Sequence, residues 1–290
     1  MRKGYLAAGL LVLSTAAVLS MSACAKKQAV QETEAAAEVS SEAETEAASE
    51  AETEAETDGS VVKLEENTPV EIEGKEFTLN VSEQDPDNAD VVQVTAEYGE
   101  NTLDLDEWLS VSGIYQLKTD SGNYVLVETY TYSDVSDLLL VRLEAGTLTL
   151  ADKLEGNLDE EPASVSEGFS IGTRLDVLGT YSGIRKYWLR DGRLETDASM
   201  YEIKNPIGDY TITLTVEKEV NCRLDGGNTT LKPGTKILPK AYSEDGTFYF
   251  ELEDGTSGNL MVDLNADGTY AGTIGGESEY DLFSDLPYAG

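Results

Sequence analysis

After Ser60 the chain places apolar residues at alternate positions in short runs, and glycine, aspartate or asparagine closes most of them. A side-chain period of two belongs to a strand with one buried face, so the pattern predicts strands and not helices. The first candidates are Val70 to Glu73, Glu76 to Val81, Val91 to Ala96, Gly113 to Lys118, Tyr124 to Tyr130, Leu138 to Leu143 and Thr147 to Leu154. The later ones are Arg174 to Thr180, Ile184 to Leu189, Tyr210 to Val216, Lys236 to Ala241, Thr247 to Leu252, Gly258 to Leu264 and Thr269 to Ile274. Asp104 to Leu109 is the main stretch with room for a helical turn. The predicted class is all-β and antiparallel.

Three of the expected hairpins echo one another. They turn on Gly99, Gly146 and Gly192, at spacings of 47 and 46 residues. The second and third match best, Val141-Arg142-Leu143-Glu144-Ala145-Gly146-Thr147-Leu148 against Trp188-Leu189-Arg190-Asp191-Gly192-Arg193-Leu194. A period of roughly 40 to 50 residues with about four strands resembles that of β-propeller blades, and 113–154 looks like one such blade. Three units are too few to close a propeller, so an open run of ordinary antiparallel meanders is the alternative. Both readings stand on the sequence.

Lys204-Asn205-Pro206 marks an expected break, dividing an antiparallel domain at 60–204 from a smaller one at 205–290. Within the latter, Gly246-Thr247-Phe248-Tyr249-Phe250-Glu251-Leu252 leads into Asp254-Gly255-Thr256-Ser257-Gly258-Asn259-Leu260. A strand followed by an Asp-Gly-x-x-Gly turn resembles bacterial SH3-like domains. That resemblance implies a small barrel serving as an accessory or wall-binding module. Asn259 stands where an aromatic residue is common in that family.

Composition changes abruptly before residue 60. From Gln28 to Gly59 the chain is almost entirely Glu, Ala, Thr and Ser, which cannot supply a packed core. Glu34, Glu38, Glu42, Glu46, Glu50, Glu54 and Asp58 recur every four residues, so a helix would stack like charges one turn apart. The expectation is a disordered acidic tether over 24–59, spanning ~30 Å on average and at most ~110 Å. Ahead of it, Arg2 and Lys3 precede an uncharged, mostly apolar run from Gly4 to Ser20 and then Met21-Ser22-Ala23-Cys24. The basic start, short apolar run and small residues are the parts of an export signal over 1–23. The last four residues resemble the lipobox of bacterial lipoproteins. That resemblance implies diacylglycerol on the Cys24 sulfur, cleavage before it, and a membrane-anchored chain outside the cytoplasm. At ~0.8 kcal/mol per buried CH₂, two acyl chains hold a protein stably where one does not.

Charge and cysteine usage narrow the chemistry. Fifty-six acids oppose twenty bases, and the residues after Asp58 alone carry 45 acids against 16 bases. This field repels nucleic acid and anionic polymers, and nucleic acid is not expected as a partner. With Cys24 lipidated, Cys222 has no partner for an internal disulfide and reads as a small buried residue. The chain contains no histidine, which excludes Ser-His and Cys-His nucleophile systems.

What remains is sparse. Asp263-Leu264-Asn265-Ala266-Asp267-Gly268 matches the first six positions of an EF-hand loop, making Asp263, Asn265 and Asp267 the candidate metal ligands. Ile274 at position twelve replaces the bidentate glutamate, so a hairpin turn is the competing reading. The acidic stretch Asp85-Pro86-Asp87-Asn88-Ala89-Asp90 reads as a solvated turn. Tyr130 with Tyr132, Tyr187 with Trp188, and Phe248-Tyr249-Phe250 offer aromatic surfaces for sugars, although alternation turns some of them into the core. No cofactor is expected. The functional expectation is a lipid-anchored surface protein displaying a non-catalytic β-domain for a wall, glycan or protein ligand. A carboxylate-dependent carbohydrate-active enzyme and a calcium-stabilised domain are the alternatives.

Overall fold

The computed structural model describes residues 59–83, 91–130, 136–264 and 272–288. The leader, Cys24, the acidic segment through Asp58, the acidic stretch at 85–90, Tyr132, Asn265 and Asp267 lie outside them. The described chain is all-β, in antiparallel sheets.

Strand β1 (Gly59–Lys63) is followed by a four-stranded meander of β2 (Val70–Ile72), β3 (Lys75–Glu83), β4 (Val92–Tyr98) and β5 (Asn101–Trp108). A second meander comprises β6 (Ser110–Thr119), β7 (Gly122–Tyr130), β8 (Ser136–Glu144) and β9 (Thr147–Glu155), with β1 added at the β6 edge. A third comprises β10 (Asn157–Leu158), β11 (Phe169–Asp176), β12 (Thr180–Arg190) and β13 (Arg193–Glu195). The echoing glycines each turn the last hairpin of one of these units. Ala145-Gly146 and Asp191-Gly192 hold φ of 49° and 88°, and of 47° and 75°. Positive φ at both central residues suits the right-handed twist of paired strands, and glycine tolerates it best. The tips of the first two units also meet, since the Asn101 amide donates to the Gly146 carbonyl.

The units pack face to face. In β7, Val125 and Val127 enter one core with Phe77, Leu79 and Val94 of the first unit. Their neighbours Tyr124 and Leu126 enter another with Phe169, Ile171 and Leu189 of the third. Leu139 and Val141 of β8 likewise face the first unit, and Leu138 and Leu140 the third. This explains why β7 and β8 read as nearly unbroken apolar runs: a sheet covered on both sides has no polar face to alternate with. The first unit, by contrast, turns Thr78, Asn80, Thr95 and Glu97 away from its core.

The rest of the chain builds onto the third unit. It contains β14 (Met200–Ile203), β15 (Leu214–Val216), β16 (Val220–Leu224), β17 (Gly227–Leu231), β18 (Lys236–Ser243), β19 (Thr247–Leu252) and β20 (Ser257–Met261). After these come β21 (Asp263–Leu264), β22 (Gly272–Ile274), β23 (Glu277–Ser278), the one-turn helix α1 (Glu279–Leu282) and β24 (Phe283–Ser284). One sheet runs in the order β10-β11-β12-β14-β18-β19-β20-β16-β17.

Three expectations are corrected. The division expected at Lys204–Asn205 does not separate two domains: β14 pairs with both β12 and β18. Leu175, Val177 and Tyr181 also share a core with Ile237, Phe248 and Leu260. Asn205 instead pins a turn, its side chain accepting from the Ile212 amide and donating to the Ile212 carbonyl, both at 2.9 Å. Asp104 to Leu109, which had room for a helical turn, lies largely in β5, where pairing with β4 outweighs local preference. Of Tyr210 to Val216, only Leu214–Val216 is strand, and Tyr210 instead closes a tight bridge with Ile207.

Candidate functional site

The sheet formed by β19, β20, β16 and β17 buries one face and leaves the other open, and strict alternation decides which residue goes where. In β16, Val220 and Cys222 are buried while Asn221 and Arg223 project outward. In β19, Phe248 and Phe250 fill the core while Tyr249 faces out, half-buried. Gly258 must be small because a Cβ there would meet the Phe250 ring at 2.4 Å. Asn259 beside it therefore points to the open side.

Register aligns these outward residues into two rows across the strands. Tyr249 pairs with Asn259, Asn259 with Arg223, and Arg223 with Asn228. Thr247 pairs with Met261 and Asn221 with Thr230, whose hydroxyl lies 3.1 Å from the Asn221 carbonyl oxygen. At the usual strand spacing of about 4.8 Å, each row extends roughly 14 Å. Over them lies a concavity of about 470 Å³ lined by Asn221, Arg223, Asn228, Thr247, Asn259 and Met261, among others. A second hollow of about 220 Å³ shares Asn221 and Met261 and continues to Ile274 and Glu277. Together they form one groove.

Its electrostatics differ from those of the chain at large. The two rows contain no carboxylate, and three of the acids at their border, Glu219, Glu277 and Glu251, lie beside lysines. Lys232 lies 2.6 Å from Glu219, Lys218 3.7 Å from Glu277, and Lys240 3.4 Å from Glu251. Arg223 donates to the Gly226 carbonyl at 3.0 Å, which fixes its stem against the turn. Cys222 lies beneath the groove, and burial pushes its thiol above the ordinary value. That is the inert setting of a core cysteine, as the sequence suggested.

Two buried charges occupy other places. Arg185 of β12 is 5% exposed where the cores of the second and third units give way to the C-terminal core. Its guanidinium stacks 3.4 Å from the Tyr201 ring centre and pairs with Glu244 at 2.8 Å, while Nε and Nη2 have no partner. Glu279 is fully buried, and burial raises its pKa although the backbone of Gly272 and Leu178 offsets part of the effect. Its Oε1 accepts from the Tyr288 hydroxyl.

The remaining candidates separate. Asp263 is exposed on β21 opposite Thr273. Among the described residues no group of three or more acids or cysteines is placed to hold a metal ion. Tyr187 is buried in the core and Trp188 faces the other way, so they form no joint platform. Tyr130 is half-buried. Among the described residues, Tyr249 is the singled-out aromatic that lies on the outward rows, paired with Asn259. Asn221, Asn228 and Arg223 were not anticipated, although Asp225-Gly226 between two alternating runs was a usable hairpin signal. Among the described residues no helix is long and apolar enough to cross a membrane. Comparisons with protein-family models, curated proteins and solved structures returned no match.

Proposed function

We propose that this chain is a lipid-anchored surface protein of a bacterial envelope, held through acylated Cys24, whose β-sheet stack displays a non-catalytic binding module. The observation that carries the reading is Met21-Ser22-Ala23-Cys24 at the end of a basic and then apolar leader. The acidic spacer that follows ends at the first described strand, β1. Two acyl chains at Cys24 supply durable attachment, and a strongly charged, core-less spacer supplies reach. The groove supports binding as its task, because amides and hydroxyls fixed on strands exchange hydrogen bonds with water for hydrogen bonds with a ligand.

The test is Cys24→Ser in the bacterial host, with metabolic labelling by a fatty-acid analogue. The wild-type chain is expected to take up label and to sediment with membranes. The variant is expected to lose the label and to leave the membrane or persist as an unprocessed precursor. Equal labelling of both proteins would overturn the anchor.

A further inference from the structure

We propose that the groove over β16, β17, β19 and β20 binds an uncharged saccharide chain laid across the strands. The proposal rests on the reading of the domain as an envelope-displayed binding module and names the ligand class.

Charge selects the class first. The described domain belongs to a stretch with 45 acids and 16 bases, yet the rows under the groove carry none of those acids. Glu219 and Glu251 at the border each lie beside a lysine, and Glu277 shares Lys218 with Asp281. An anionic polymer would meet the repulsive field of the whole domain with Arg223 as its lone attraction in the rows. A polycation would find no carboxylate in the rows. A neutral ligand suits a neutral floor in an acidic molecule.

Hydrogen-bonding chemistry narrows it further. Sugar hydroxyls both donate and accept, and Asn221, Asn228 and Asn259 each offer a carbonyl oxygen and an amide on one side chain. Thr247 adds a hydroxyl that serves either role, Thr230 adds an acceptor while its proton is donated to Asn221, and Arg223 adds donors. Tyr249 and the half-exposed Met261 supply apolar surface for the C–H face of a sugar ring. A neutral peptide is less well served. Recognition of an extended peptide uses a free strand edge with pockets for alternate side chains; β17 ends its sheet, but both rows run across the face of the strands and not along that edge.

Isothermal titration of the detergent-solubilised full chain tests the proposal. The probes are a β-1,4-linked N-acetylglucosamine hexamer, a β-1,4-linked glucose hexamer, a galacturonate hexamer and an uncharged Gly-Ser-Asn peptide. Saturable binding is expected for at least one neutral hexamer, with an affinity that does not change as salt is raised. Arg223→Ala and Asn259→Ala should each weaken it about tenfold, with circular dichroism unchanged. Both side chains are at the surface, so the variants are expected to fold. Silence from both neutral hexamers, preference for the galacturonate or the peptide, or indifference to both substitutions would each overturn the assignment. None of these outcomes touches the Cys24 anchor, which acyl labelling decides separately.

Discussion

The second meander, β6 to β9, and the C-terminal sheet, β16 to β20, are built from strands of similar length and pairing, yet they expose opposite amounts of themselves. In the meander, Tyr124 through Val127 and Leu138 through Val141 are buried on both faces between two neighbouring units. In the C-terminal sheet, Phe248, Phe250 and Leu260 fill one core while Tyr249, Asn259 and Arg223 look outward. A layer covered on both sides spends every side chain on stability. A layer covered on one side has every second residue left for other work. The division of labour follows from where each sheet sits in the order of packing, because both obey the same period of two.

The largest expected effect that separates the two regions is a pair of truncations. Leu126→Ala in the covered layer removes a fully buried side chain from a rigid setting and should cost about 2–5 kcal/mol. Asn221→Ala on the open face should change stability by no more than about 0.5 kcal/mol. Chemical denaturation of the two variants decides the matter, and comparable losses would break the distinction.

A smaller effect is expected at Arg185, where the regions join. Its partner Glu244 is largely exposed, so removing the arginine strands no buried carboxylate. Arg185→Met keeps the stem against Tyr201 and removes two guanidinium nitrogens that have no partner. Replacing a buried ion pair with apolar volume is neutral or stabilising by up to about 4 kcal/mol. A marked fall in melting temperature for this variant would show that the guanidinium holds the junction together.

The smallest effect concerns pH. The folded-state pKa of Glu279 is raised, chiefly by burial. Its stabilising contribution is therefore complete below the ordinary carboxylate value and is lost as pH rises through the raised one. Tyr288 donates to it, and the backbone of Gly272 and Leu178 faces it, with the Tyr181 hydroxyl bound instead to the Leu178 carbonyl. Wild-type stability should decline relative to Glu279→Gln as pH rises above the ordinary carboxylate value, and amide exchange in β18 and β19 should report it before β7 and β8 do. Parallel pH profiles for the two proteins would remove Glu279 as the cause.

Much of the architecture was readable because period two and x-Gly turns are local signals. Thr247–Leu252 has the expected bounds, and the turns at Gly99, Gly146 and Gly192 lie where the echo put them. The same locality hid the groove. Its floor is made of Asn, Arg and Thr at outward positions, which in sequence look like any solvated face until pairing aligns them across four strands. Arg185 was equally opaque: Arg185, Tyr187 and Leu189 share one face of β12 and Ile184, Lys186 and Trp188 the other, so each face carries one cation and two apolar residues. Only the covering layer decides which cation is buried. Lys204-Asn205-Pro206 reads as a linker because proline and polar residues mark both linkers and turns, and here they mark a turn within one sheet system.

The polar outer side of the first meander has a bearing on how such a molecule changes length over evolutionary time. Thr78, Asn80, Thr95 and Glu97 present water with a surface on which another meander would gain little, so the stack ends there. Growth by duplication would therefore have to occur inside the array, by copying a unit apolar on both sides, such as β6 to β9. Each accepted copy would lengthen the stack by about 10 Å and leave both its terminus and its groove-bearing end unchanged. An array of this kind can reset the height at which the proposed binding face stands without altering the residues on that face.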